Sequence, residues 1–242
     1  MSFLTQIESR VGTVSDTAYV SEALTAGAAW FVDRLPENKL RDYTTNVSDG
    51  GSGVSITDYR FYRAHKSGYK AREVDPGLKA QAADSDSIHK ATATDPIFYI
   101  ENGLIYILPG GGTAIVIAYP TVAYSGTTIS GFPTELNEGV VLYTSIQAAV
   151  QKYNATITVL NGLGIPTTTF SLTQANTWIN TDEDIELGNA ELSQQRAYLE
   201  KYSQDMQLLN AEVSKEIQEV NSLGGILKEL RDEFKTFVSG II

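Results

Sequence analysis

Apolar side chains near the C-terminus recur at every seventh position: Ile185, Leu192, Leu199, Met206, Val213, Val220, Leu227, Phe234 and Ile241. A second series, offset by three, reads Tyr202, Leu209, Glu216, Leu223, Leu230 and Phe237, with Glu216 its polar lapse. Together they have the a/d spacing of a helix that lays one narrow apolar seam against other helices. The pattern predicts a C-terminal helical arm over 181–242, opened by Thr181 or Asp182 as cap with acids in its first turn. Gly224-Gly225 costs about 1 kcal/mol per glycine against alanine, which predicts a break or kink there and a shorter helix beyond it. Leu199, Tyr202, Met206, Leu209, Val213 and Val220 are the candidate interface residues. Their partners are other helices of the same subunit, a neighbouring copy, or both.

The period changes along the rest of the chain. Residues 3–10 form a short helix candidate. A second, over 16–35, starts at Ser15 or Asp16 as cap and sets Val20, Ala23, Leu24, Trp30 and Phe31 on one face. Gly27 lies on that face and lets a partner approach closely, and Pro36 ends the helix. From about 40 to 120 β-branched and aromatic residues alternate with polar ones, and glycines cluster in SDGGSG, 48–53. The run IFYIENGLIYIL places Asn102-Gly103 between two apolar stretches, a strong hairpin signal. With the turn at Pro109–Gly112 it predicts a three-stranded antiparallel meander over 97–118, covered on at least part of both faces. Residues 137–154 return to a helical period, with Glu135 and Glu138 at the positive end of the helix dipole. The Thr-, Asn- and Gly-rich stretch 155–183 reads as an extended excursion. The expected fold is α+β, mainly α: a helical bundle in a 1–180 core with a β-rich insertion, followed by the arm.

Charge adds one feature. The net charge of −11 over 242 residues argues against a general nucleic-acid binder. Residues 181–242 hold thirteen acids against six Lys/Arg, while 39–79 hold eight Lys/Arg against five acids. The two blocks are complementary and can pair between copies; both are equally compatible with plain solvated faces. No run of about 18 apolar residues predicts a membrane span. The N-terminal MSFLTQIESRVG lacks the apolar stretch of a signal peptide, and zero cysteines exclude thiolate chemistry.

Candidate chemistry is thin. His65 and His89 lie in separate polar stretches without the carboxylate or cysteine companions of a metal site. Gly110-Gly111-Gly112 is followed by a strand instead of Lys-Ser/Thr and a helix, so it reads as a turn, not a phosphate loop. Asp182, Glu183, Asp184 and Glu186 lack the spacing of a calcium loop. The thirteen tyrosines mostly alternate within strands or sit on helix seams, where packing explains them. The expectation is a protein without catalytic activity, metal or cofactor.

The order of segments carries a resemblance. ATATDPIFYIENGLIYILP (91–109) is followed by GFPTELNEGVVLYTSIQAAVQKYNA (131–155) and by the acidic arm DEDIELGNAELSQQRAYLEKYSQDMQLLNAEVSKEIQEV (182–220). This series resembles the head-to-tail connector proteins of tailed bacteriophages, variously called adaptor, neck or ring proteins. FPTELNEGVVLY and AELSQQRAYLEKYSQDM are the stretches most alike. The resemblance implies a homo-oligomeric, commonly dodecameric ring within the virion, assembled in the host cytoplasm. Such a ring is seated beneath the portal, contacts portal and other neck or tail proteins, and meets DNA only as passing cargo. The rival class is a trimeric fibre or spike in which the same heptads form a parallel coiled coil.

Overall fold

The computed structural model describes residues 1–167, 177 and 185–241. Its elements are α1 (Phe3–Val11), α2 (Thr17–Arg34), α3 (Glu37–Leu40), α4 (Lys79–Ala83), α5 (Asn137–Gly162) and α6 (Ile185–Ser239). The strands are β1 (Thr45–Asp49), β2 (Val54–Ser55), β3 (Tyr59–Lys66), β4 (Tyr69–Lys70), β5 (Arg72–Glu73), β6 (Ile97–Glu101), β7 (Leu104–Leu108) and β8 (Gly112–Ala118). Helix accounts for 56% of the described residues and strand for 16%, so the fold is α+β and mainly α. Two compact units divide it: residues 1–148 with 229–242, and residues 149–228. The end of the C-terminal arm, from Glu229, belongs with the first unit.

In the first unit the caps work as the sequence dictates. Ser2 accepts from the Thr5 amide at the start of α1, and Asp16 accepts from that of Tyr19 at the start of α2. Phe3, Ile7 and Val11, four apart on one face of α1, are buried. The α1 backbone is tied to the segment before α5 by Phe3 N–H to Gly126 O at 2.8 Å and Leu4 N–H to Tyr124 O at 3.0 Å. Gly27 justifies its place on α2: a Cβ there would stand 2.9 Å from Cδ1 of Tyr143 on α5. Gly139 plays the same part on α5, where a Cβ would meet Phe31 at 2.5 Å and also collide with Phe237.

The strands form two four-stranded sheets, ordered β1-β8-β3-β4 and β2-β7-β6-β5. The Asn102-Gly103 hairpin joins β6 and β7 as expected, with Ile97 opposite Leu108 and Glu101 opposite Leu104. The three-stranded meander does not form. β8 leaves β7 and pairs with β1 and β3 in the other sheet. Four corners pass the chain between sheets, at 50–53, at 56–58, at Ala71 and at 109–111. Periodicity specifies which face of a strand is buried but not which neighbour it pairs with. Ala64, Ile105, Ile107, Ala114 and Val116 fill the space between the sheets, with Phe98. On the other side of β6, Ile97 packs with Ala82 and Ala91, so that strand is covered on both faces.

Two helices run further than the sequence predicts. α5 continues past Asn154 to Gly162, through residues read as the start of an extended excursion. The threonines responsible for that reading satisfy themselves inside the helix. Thr156 Oγ1 donates to Lys152 O at 3.2 Å and Thr158 Oγ1 to Asn154 O at 2.9 Å. The remainder of the excursion from 168, apart from Thr177, lies outside the described residues, as do Thr181 and the first-turn acids Asp182–Asp184. α6 runs as one helix through Gly224-Gly225, with no helix end there. The glycines cost about 2 kcal/mol together, whereas burying Leu223 and Leu230 on either side of them is worth about 1.5–3 kcal/mol each.

Candidate functional site

The shielded face of α6 is the seam that the heptads define. From Tyr202 to Leu227 every position of the two series is half-buried or buried, and the three positions on the far side of each heptad are exposed throughout. The covering is incomplete. Leu199 is 52% exposed in the single chain. Tyr202, Met206, Leu209, Val213 and Val220 are half-buried. The fully buried members in the second unit are Leu223 and the one polar lapse, Glu216, at 7%. Among the described residues the seam is thus shielded without being closed.

Nearer the C-terminus, in the first unit, aromatic rings lie against the same seam, where Leu230 is buried and Phe234 and Phe237 are half-buried. Phe234 lies 5.4 Å from Trp30, 6.1 Å from Phe31 and 6.2 Å from Tyr143, ring centre to ring centre. Phe237 stands edge-on to Phe31 at 6.2 Å, and such tilted and T-shaped pairs add to the energy of burial itself. Arg10 on α1 clips the bundle by pairing with Glu138 of α5 and, at 2.8 Å, with Glu233 of α6. The six candidate residues all lie in the other unit, so these ring contacts do not involve them.

Sequence reasoning passed over Asp49, the most tightly bonded carboxylate of the β-rich part. It is 4% exposed. Oδ1 accepts from the amides of Gly51 at 2.7 Å and Gly53 at 3.0 Å, and Oδ2 from that of Ile107 at 2.8 Å. The carboxylate continues the edge of β7 where β2 stops pairing with it, and so holds two of the corners together. Gly111, at φ +84°, completes the arrangement, because a Cβ there would strike Asp49 O and stand 2.7 Å from Gly51 N. The legible signal was Asp two residues before a glycine, the pattern of an Asx turn. Arg60 was equally inconspicuous. Its guanidinium donates to Leu35 O at 2.8 Å and to Val32 O, capping the negative end of α2 from β3.

A groove of about 580 Å³ opens beside β3 and β5, with Arg63, Lys70, Arg72 and Glu73 around Phe61 and Phe98. Arg63 lies over the Tyr62 ring at 5.1 Å, and its Nε is buried with no hydrogen-bond partner among the described residues. Arg72 holds Asp95 through Nε at 3.0 Å and Nη2 at 3.1 Å. Its hydrogen bond keeps the Asp95 carboxyl below the usual range. His65, opposite Lys70 in the β3–β4 pair, has its pKa lowered by burial first and then by the charges of Arg63 and Lys70. Among the described residues no group of three or more His, Cys, Asp or Glu is placed to hold a metal ion, and no helix is long and apolar enough to cross a membrane.

No protein-family model matches the chain, and no curated protein matches it either.

Proposed function

We propose that this chain is a structural virion subunit of a tailed phage. Copies of it form an oligomeric ring, dodecameric by the resemblance, that joins the portal and capsid to the tail and lines the DNA channel. It binds no cofactor and catalyses no reaction. The observation that carries this reading is the half-covered seam. Leu199 through Val220 keep apolar surface that a single chain does not bury, while the far side of the helix is polar apart from residues such as Leu208. Burying such side chains is worth about 1.5–3 kcal/mol each, which is the driving force a neighbouring copy would use. The net charge of −11 suits a passage through which DNA slides without adhering.

The trimeric fibre is the second reading, and Glu216 weighs against it. A parallel coiled coil brings each seam residue beside its own symmetry mates. Three Glu216 carboxylates would then share one buried layer, where like charges repel strongly. A ring uses heterologous contacts, in which the seam meets different residues of the neighbour. The test is native mass spectrometry and negative-stain microscopy of the full chain, alongside Leu209→Asp and Val213→Asp. Closed rings in the parent and monomers that keep wild-type helicity in the variants are expected. A parent that stays monomeric, or assembles as a parallel trimer, would refute the proposal.

A further inference from the structure

The groove beside β3 and β5 presents three cations against one carboxylate, Glu73, in a chain that is otherwise strongly acidic. Arg72 is already engaged by Asp95. Arg63 and Lys70 form no ion pair among the described residues, and the buried Nε of Arg63 lacks a hydrogen-bond acceptor there. A guanidinium without an ion-pair partner, beside an ammonium, is suited to a carboxylate, which can accept in a bidentate manner. The topology leaves room for an incoming segment: β4 pairs with β3 at only two positions, and β5 with β6 at only two.

Acids of matching character line one flank of the α6 seam. Asp205, Glu212 and Glu219 stand seven residues apart, in the heptad position just before Met206, Val213 and Val220. They form a column about 10.5 Å in step along the helix. We propose that the Arg63–Lys70 groove of one copy receives this acidic column from α6 of a second copy, so that the pairing sets the register between neighbours. The inference rests on the ring reading. It adds an electrostatic contact to the apolar seam: the seam supplies affinity, and the groove selects which part of the neighbour lies against it.

The experiment is a charge-reversal series on the full chain, with assembly followed by sedimentation velocity from about 50 mM to about 500 mM salt. Parent rings should weaken as salt rises. Arg63→Glu with Lys70→Glu should weaken assembly by about tenfold or more at low salt, the loss of one effective ion pair. Asp205→Lys with Glu212→Lys and Glu219→Lys should do the same, and mixing the two variants should restore assembly. Circular dichroism checks folding. Because Lys70 is exposed, Lys70→Glu alone, mixed with Glu212→Lys alone, repeats the comparison should the Arg63 variant unfold. Rings that Leu209→Asp abolishes but groove reversal leaves intact would overturn this inference and leave the ring reading standing. A monomeric parent would overturn both. Loss without restoration on mixing would exclude the acidic column as the occupant. Groove variants that assemble normally yet lose an oligonucleotide bound by the parent would assign the groove to nucleic acid and overturn the pairing.

Discussion

Replacing Asp49 with alanine removes three hydrogen bonds to one carboxylate in a single step. The Ile107 amide is the buried one, and a buried donor left without a partner costs about 1–3 kcal/mol. The Gly51 and Gly53 amides are partly buried, so water replaces some of what they lose. Hydrogen bonds to a charged acceptor contribute about 1.5–3 kcal/mol each, though not additively. We expect Asp49→Ala to lose about 3–5 kcal/mol of unfolding free energy in urea titrations, with amide exchange accelerated first at Ile107, Gly51 and Gly53. Asp49→Asn should not rescue it. An amide has one acceptor oxygen, so whichever way it is turned its NH2 faces a backbone N–H. Exposed Asp42→Ala is the control and should change little. A loss below about 1 kcal/mol for Asp49→Ala, or wild-type stability in Asp49→Asn, would show that the corner is held by its glycines and strand pairing alone.

Alanine scanning of the glycines should give opposite signs. Gly27→Ala and Gly139→Ala should each destabilise by about 1–3 kcal/mol in thermal melts, because a methyl group would press on Tyr143 in one case and on Phe31 and Phe237 in the other. Gly225→Ala, in an exposed helical position with nothing within 4 Å, should stabilise by about 0.5–1 kcal/mol. Arg60→Gln should cost about 1–2 kcal/mol in urea titrations through loss of the charged cap on α2. The lowered pKa of His65 means the folded chain binds its proton less readily than the unfolded chain. Its contribution is therefore present above the unfolded value and lost as pH falls from about 6.5 through the folded value. The drop in melting temperature between about pH 7.5 and about pH 5 should accordingly be smaller in His65→Asn than in the parent.

What the sequence disclosed and what it withheld follow from the range of the interactions. Helix starts are local, so the cap of α2 at Asp16 was legible, although Ser2, which caps α1, was not singled out. The heptad seam is local too, since helical geometry alone decides which residues share a face, and burial along α6 follows it position by position from Tyr202 to Leu227. The Asn102-Gly103 turn was legible because a two-residue hairpin needs positive φ at both positions, and both have it, at 52° and 75°. Strand partnership is not local. Nothing in TAIVIAY distinguishes a strand that pairs back on β7 from one that crosses to β1 and β3. The Asp49–Ile107 and Arg60–Leu35 bonds span 58 and 25 residues and left no periodic trace. α5 and α6 outran the reading because propensity was given too much weight beside tertiary burial. Threonines that bond back into the helix and glycines flanked by buried leucines are both tolerated once the surrounding side chains pack.

Glu216 gives the seam a polarity that its apolar members do not. A helix with leucine at that position would pack equally well in several registers and against several copies, because hydrophobic contact is not directional. A carboxylate held at 7% exposure penalises every register that sets it against another acid or against bare hydrocarbon. The acids at Asp205, Glu212 and Glu219 extend the same restriction along one flank, and Leu199 marks the stretch where the apolar surface stands most open. On the proposed ring reading, such a seam would disfavour a parallel pairing that sets Glu216 beside its own symmetry mates. That asymmetry is what separates a subunit built to meet a different face of its neighbour from one built to coil around copies of itself.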